Sequence, residues 1–212
     1  MSAVFLDLDG TLVDSKPGII SSLVTAFTEV GRADLAAGDL TWMIGPPFAE
    51  SFGTLGLADP QAAIDAYRRV YDDGHGLFDA TVYDGVLPML AALRTAGHRL
   101  YLATAKPHVA ATKVTRHFGL APLMEAEFGP ELDGTRNWKG DLLAHALELT
   151  GEDPDRSVMV GDRHHDVAAA AEVGMPSVAV RWGYGMPHEW QGAAAEIDTP
   201  EDLLDTLRRL GL

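Results

Sequence analysis

The stretch VFLDLDGTLVDS, residues 4 to 15, runs from an apolar pattern straight into two aspartates and a glycine turn. Val4 to Asp7 reads as a strand. Alternate residues of an extended chain share a face, so Asp7 and Asp9 would stand together at the strand's end. An apolar strand has no structural use for two carboxylates there unless something cationic meets them. Gly10 then permits a tight reversal close to whatever those carboxylates hold.

Outward from this stretch, short β-branched and apolar runs alternate with longer helical patterns. Further strands are expected at Arg99 to Ala103, Val158 to Gly161 and Ser177 to Arg181, with a weaker one near Glu125 to Phe128. Leu87, Leu90 and Leu93, with Val86 and Met89, recur at helical spacing behind Pro88, and the pattern stops near Gly97. Leu142, Leu143, Ala146, Leu147 and Leu149 repeat it before Gly151. Strands alternating with helices predict an α/β fold with a mostly parallel sheet.

Residues 16 to 80 break the alternation. Gly18 to Val30 and Pro60 to Tyr71 both read as helices, with the turn Ile44-Gly45-Pro46-Pro47-Phe48 between them and no strand pattern. A helical insert after the first strand predicts a small cap over the carboxyl ends of the strands, where open α/β sheets place ligands. The expected division is a core of residues 1 to 15 and 81 to 212, and a helical cap of residues 16 to 80.

The 212 residues include 16 Lys and Arg against 31 Asp and Glu, a formal charge of −15 that repels polyanions. Nucleic acid is therefore not an expected partner. With no cysteine in the chain, disulfides, thiolate catalysis and cysteine-bound metals are excluded. The start MSAVFLDLDG has no basic leader region, and no apolar run approaches the roughly 18 to 20 residues that span a bilayer. The expectation is a cytoplasmic protein, monomeric or a homodimer, that does not engage membranes.

Three more strand ends carry candidate chemistry. SVMVGD runs into GDRHHD, so Asp162 and Asp166, four apart, are expected on one face of a helix's first turn. Oxygen ligands without cysteine favour a hard cation, and Mg²⁺ is the usual one beside a phosphate. RLYLAT ends at Thr104, whose hydroxyl, with the backbone of Ala105 and Lys106, could donate to phosphate oxygens. Lys139 opens another helix. The order Asp-x-Asp, Thr, Lys, Gly-Asp-x-x-x-Asp supplies a nucleophile, an acid/base, phosphate donors, a cation and metal ligands. Mg²⁺, Lys139, Lys106 and Arg163 are the positive charges available to an anionic ester, and few cations flank the loop Ile44 to Phe48. His164 and His165 fit poorly beside an oxygen-preferring ion. Gly183-Tyr184-Gly185 reads as a loop, and neither G-x-x-x-x-G-K-[ST] nor G-x-S-x-G occurs.

DLDGTLVDS, LATAKP at 102 to 107, Lys139 and VGDRHHD at 160 to 166 together resemble the haloacid dehalogenase-like phosphatase superfamily. IGPP at 44 to 47, HFGL at 117 to 120, LDGTR at 132 to 136 and RWGYG at 181 to 185 resemble its phosphoglycolate phosphatase-like branch. The resemblance implies a Rossmann-like parallel sheet with helices on both faces, and a Mg²⁺-dependent phosphatase acting on a small phosphorylated metabolite. It implies that Asp7 attacks phosphorus, and that Asp9 protonates the leaving oxygen and then activates water. Asp7, the Asp9 main-chain carbonyl and Asp162 would hold Mg²⁺, with Asp166 further out. Thr104 and Lys139 would bind the phosphoryl group, beside Gly10, Ala105 and Lys106. Asp9 argues against attack at carbon, which needs no such acid/base. A 5'-nucleotidase, a pyrophosphatase, a sugar-phosphate phosphatase or phosphomutase, and a non-catalytic phospho-ligand binder remain as alternatives.

Overall fold

The computed structural model describes residues 2 to 46, 48 to 73 and 76 to 212, apart from the side chains of 48, 49 and 73. Pro47 and the Phe48 side chain, part of the turn singled out in the sequence, lie outside the described residues. In chain order the elements begin with β1 (Ala3–Leu6), β2 (Val13–Asp14), α1 (Lys16–Glu29), α2 (Ala33–Ala36), α3 (Phe48–Gly53) and α4 (Pro60–Asp73). They continue with β3 (Thr81–Val82), α5 (Val86–Thr95), β4 (Arg99–Ala103), α6 (His108–His117), β5 (Ala126–Phe128) and α7 (Lys139–Thr150). The last are β6 (Ser157–Gly161), α8 (His164–Glu172), β7 (Ser177–Val180), β8 (Ala195–Ile197) and α9 (Asp202–Arg209).

β5, β4, β1, β6, β7 and β8 form one parallel sheet in that order. Counting only these strands along the chain, the order is 3-2-1-4-5-6, the doubly wound arrangement that opens a crevice where the winding reverses. Period-two alternation decides which face each residue serves. Ala3 and Phe5 of β1 pack with Tyr101, Met159, Leu143 and Ala170, under α7 and α8. Val4 and Leu6 face the other way, with Leu102, Val160, Leu90 and Leu207, under α5 and α9.

Register carries the functional consequence. Leu6 lies between Leu102 and Val160 on its neighbours, so the three central strands end almost level. Asp7, Thr104 and Asp162 follow within two residues and emerge side by side.

The chain leaves the sheet through β2 and returns through β3, which pair antiparallel, Val13 opposite Val82 and Asp14 opposite Thr81. Between these crossings lie the helices α1 to α4, joined to the main core through Leu23, Phe27 and Tyr67, with the Phe27 and Phe52 rings 5.6 Å apart. The sequence reading missed β2, β3, β8, α2, α3 and α9. All but α9, which has eight residues, span six residues or fewer, too short for periodicity to register. Among the described residues, no helix is long and apolar enough to cross a membrane.

Candidate active site

The Asp7 N–H donates to Val160 O at 2.9 Å, which fixes the residue just past β1 against β6. Its carboxylate accepts the Leu8 N–H at 2.8 Å, and the Lys139 ammonium lies 3.0 Å away. Lys139 opens α7 and also pairs with Asp166, so one buried cation bridges two carboxylates. Burial pushes the Asp7 carboxyl up to about 6, although Lys139 opposes that shift. Burial alone would lower Lys139, but Asp166 and Asp7 outweigh it and hold the ammonium above its ordinary value.

Asp162 is fully buried, and burial together with Asp166 and Asp7 pushes its carboxyl well above the usual range. One of its oxygens accepts the Tyr184 N–H at 2.7 Å. The other, Oδ1, has no partner among the described residues. The sequence reading placed Asp162 and Asp166 together on a helix face. Instead α8 begins at His164, so Asp162 precedes it in the turn, while Asp166 sits in the first turn and accepts the Arg163 N–H at 3.0 Å. The two carboxylates converge from different local structures.

Asp7, Asp162 and Asp166 each offer an oxygen within 4.8 Å of the others. The buried site brings four carboxylates, those of Asp7, Asp9, Asp162 and Asp166, to two ammonium groups, Lys106 and Lys139. If all ionise, the shortfall is two positive charges. An orphaned buried oxygen, an all-oxygen donor set and that deficit together fit a hard divalent cation.

Asp9 is turned elsewhere. Its carboxylate accepts from Ser15 Oγ at 2.6 Å and from Lys106 Nζ at 2.8 and 2.9 Å, outside the acidic triad. Lys106 also stands 5.1 Å from the centre of the Tyr71 ring, and Asp9 raises its pKa against the lowering effect of burial. The Thr104 hydroxyl, buried, accepts the Lys106 N–H at 3.2 Å. Gly10 serves Asp162: its φ is +84°, and a Cβ there would come within 2.4 Å of the Asp162 carboxylate. Gly183 is packed as closely, since a Cβ there would lie 2.3 Å from Gly10 O.

A cavity of about 280 Å³ lies between the carboxyl edge of the sheet and the helices of residues 16 to 80. Asp7, Asp9, Thr104, Ala105 and Lys106 line one end. Gly10 and Lys139 are absent from its wall, although Lys139 touches Asp7.

Arg163, counted in the sequence among the cations for an anionic ester, is engaged elsewhere. It donates to Glu189 at 2.8 Å and to the Ile44 carbonyl, tying the core to the turn at 44 to 46. His164 Nδ1 lies 2.8 Å from the same Glu189, and burial pushes His165 down to about 4, so it is neutral at pH 7. Neither imidazole lines the cavity.

Sequence reasoning missed Tyr184, Arg68 and Lys113. Tyr184 braces Asp162 through its backbone and the β2 end through its hydroxyl, and its only sequence signal was the RWGYG motif. Arg68 on α4 and Lys113 on α6 both line the cavity. Each lies on the face of a helix, and no local motif marks it.

The family model described as haloacid dehalogenase-like hydrolase matches residues 4 to 180. Tyrosine-protein kinase PtkA of Mycobacterium tuberculosis is 43% identical over 207 residues, 97% of this chain and 70% of that protein. A 5'-nucleotidase of Pseudomonas aeruginosa is 37% identical, over 88% of this chain and 85% of its own. A plasmid-encoded phosphoglycolate phosphatase of Cupriavidus necator is 35% identical, over 95% and 91% respectively. Among solved structures, a predicted phosphatase from Clostridium acetobutylicum superposes with a TM-score of 0.91 at 33% identity, covering 98% of both chains.

Proposed function

The chain belongs to the haloacid dehalogenase-like hydrolases, and from that membership and the geometry of the sheet's carboxyl edge we propose a phosphatase acting on a small phosphomonoester through an aspartyl-phosphate. The observation that carries this reading is the convergence of Asp7, Thr104 and Asp162 from three adjacent strand ends, with Lys139 on Asp7 and Asp9 beside the same cavity.

An Asp7 oxygen attacks phosphorus as the ester P–O bond breaks, and the Asp9 carboxyl gives its proton to the leaving oxygen. Water then attacks the same phosphorus, loses a proton to Asp9, and the bond to Asp7 breaks. Lys106 and Ser15 hold the Asp9 carboxyl in place beside the cavity, where it can reach the leaving oxygen. Thr104 and the N–H groups that follow it orient the phosphoryl oxygens, and Lys139 keeps the Asp7 carboxylate in line. Asp7, the main-chain carbonyl of Asp9 and Asp162 would hold Mg²⁺, with Asp166 behind them. When bound, the ion supplies the charge neutralisation that a dianionic ester and a carboxylate nucleophile require of each other.

In this reading residues 16 to 80 form a cap that closes over the site and excludes bulk water. The relatives named as phosphoglycolate phosphatase and 5'-nucleotidase support a small metabolite as substrate, in keeping with a cytoplasmic setting. The name of the mycobacterial relative brings a second reading, transfer of the phosphoryl group to a protein hydroxyl instead of water. It shares the first half-reaction and differs in the acceptor.

The test is hydrolysis of p-nitrophenyl phosphate with and without Mg²⁺, by the natural chain and by Asp7→Asn. We expect metal-dependent release of inorganic phosphate, and a loss of several orders of magnitude in the folded variant. Near-natural turnover by Asp7→Asn would sink the mechanism. Phosphate retained on a peptide tyrosine in place of release would favour transfer.

A further inference from the structure

The cavity extends well past the phosphoryl end. On α4, Gln61, Ile64, Arg68 and Tyr71 recur at three- and four-residue intervals and line one wall. On α6, Val109, Ala110 and Lys113 do the same from the core side. Two helices, α4 among residues 16 to 80 and α6 of the sheet-bearing core, thus each bring one cation to the cavity lining.

The other site cations are occupied: Lys139 with Asp7 and Asp166, Lys106 with Asp9, and Arg163 with Glu189 and Ile44 O. Among the described residues, Arg68 and Lys113 have no hydrogen bond or ion pair. In a chain with 31 carboxylates against 16 basic residues, that is an unusual state for an arginine that is partly buried. Its neighbour Arg69 pairs with Glu29. Besides Asp7 and Asp9, three carboxylates share the cavity wall with these cations. Glu131 is engaged by Arg136, Asp133 accepts the Thr135 N–H, and Asp72 is exposed at the far end of α4.

We infer that Arg68 and Lys113 form a second anion-binding position, which selects phosphomonoesters whose leaving group carries a further carboxylate or phosphate. The inference rests on the reading that Asp7 takes the phosphoryl group. A guanidinium offers paired N–H donors that match either anion, and an ammonium lining the same cavity adds charge with less geometric demand. About 280 Å³ is near the lower end for small-ligand pockets, enough for a compact metabolite spanning both ends.

The test uses alkyl phosphates paired with ω-carboxyalkyl phosphates of equal chain length, scored as the ratio of kcat/KM within each pair. At the best-fitting length we expect the natural chain to favour the carboxylated ester by about tenfold or more, a difference of about 1.4 kcal/mol. Arg68→Gln combined with Lys113→Gln should bring that ratio close to one, and Arg68→Lys should restore part of it. A ratio near one in the natural chain at every length, or a ratio unmoved by the double substitution, would overturn the inference.

Calorimetric binding of the same pairs in the presence of Mg²⁺ separates this from the phosphatase reading. If no ester turns over, that reading falls, and binding alone decides. Tighter binding of the carboxylated member that depends on Arg68 supports the second anion position, and no such difference overturns it.

Discussion

Asp9 is two residues from Asp7 yet shares none of its partners: Lys106 and Ser15 hold one carboxylate, Lys139 and the Leu8 N–H the other. The Asp162 side chain belongs to the triad that fits a cation, and the Asp9 side chain does not. Asp9→Asn should therefore lower kcat by orders of magnitude and leave the Mg²⁺ concentration for half-maximal activity within about threefold of natural. Asp162→Asn should raise that concentration by more than about tenfold. Mg²⁺ titrations of both variants check this, and equal losses of metal affinity would show that the side chains have the same role. Asp7, Thr104, Lys139 and Asp162 were legible in the sequence because each follows a strand or opens a helix, where backbone geometry alone delivers a side chain to the sheet edge. The part of Arg163 was not legible, since its partners Ile44 and Glu189 are distant in sequence and meet it only after folding.

At the scale of elements, the two crossings between the sheet and the helices of residues 16 to 80 are held by β2 and β3, only two residues each. So short a pair needs outside support, and Tyr184 supplies it. Its hydroxyl accepts from the Ser15 N–H at 2.8 Å and the Lys16 N–H at 3.1 Å, and donates to Asp14 at 2.9 Å. Ser15 is buried, so water cannot readily replace the lost acceptor. Tyr184→Phe should cost about 1 to 3 kcal/mol in urea unfolding, the usual penalty for a buried donor left unpaired. A change smaller than about 0.5 kcal/mol would mean that α1 finds other partners at its first turn. The long elements were readable because three or more turns, or four alternating residues, repeat a pattern. The hinge strands repeat nothing, and β8, at three residues, barely does. Arg68 and Lys113 show the same limit on helices whose existence was clear or readily marked. Periodicity identifies which residues share a face, but what that face meets depends on how α4 and α6 dock across the cavity.

For the whole molecule, a formal charge of −15 sets a repulsive field that every phosphate ester must cross before it meets any cation of the site. The cations near the cavity are few, and two of them, Lys106 and Lys139, are already matched by carboxylates. Attraction at contact is therefore short-ranged, while repulsion reaches as far as screening allows. Raising ionic strength from about 0.01 M to about 0.1 M shortens the Debye length from about 30 Å to about 10 Å, which removes most of the long-range term and spares the buried contacts. The repulsion scales with substrate charge, so the benefit of screening must scale with it too. At saturating Mg²⁺, kcat/KM for a more highly charged ester should rise with salt relative to that of a less charged one. The comparison within one preparation cancels any effect of salt on the fold. A steeper fall for the more charged ester would show that the cations of the cavity, Arg68 and Lys113 included, govern encounter from a distance as well as at contact.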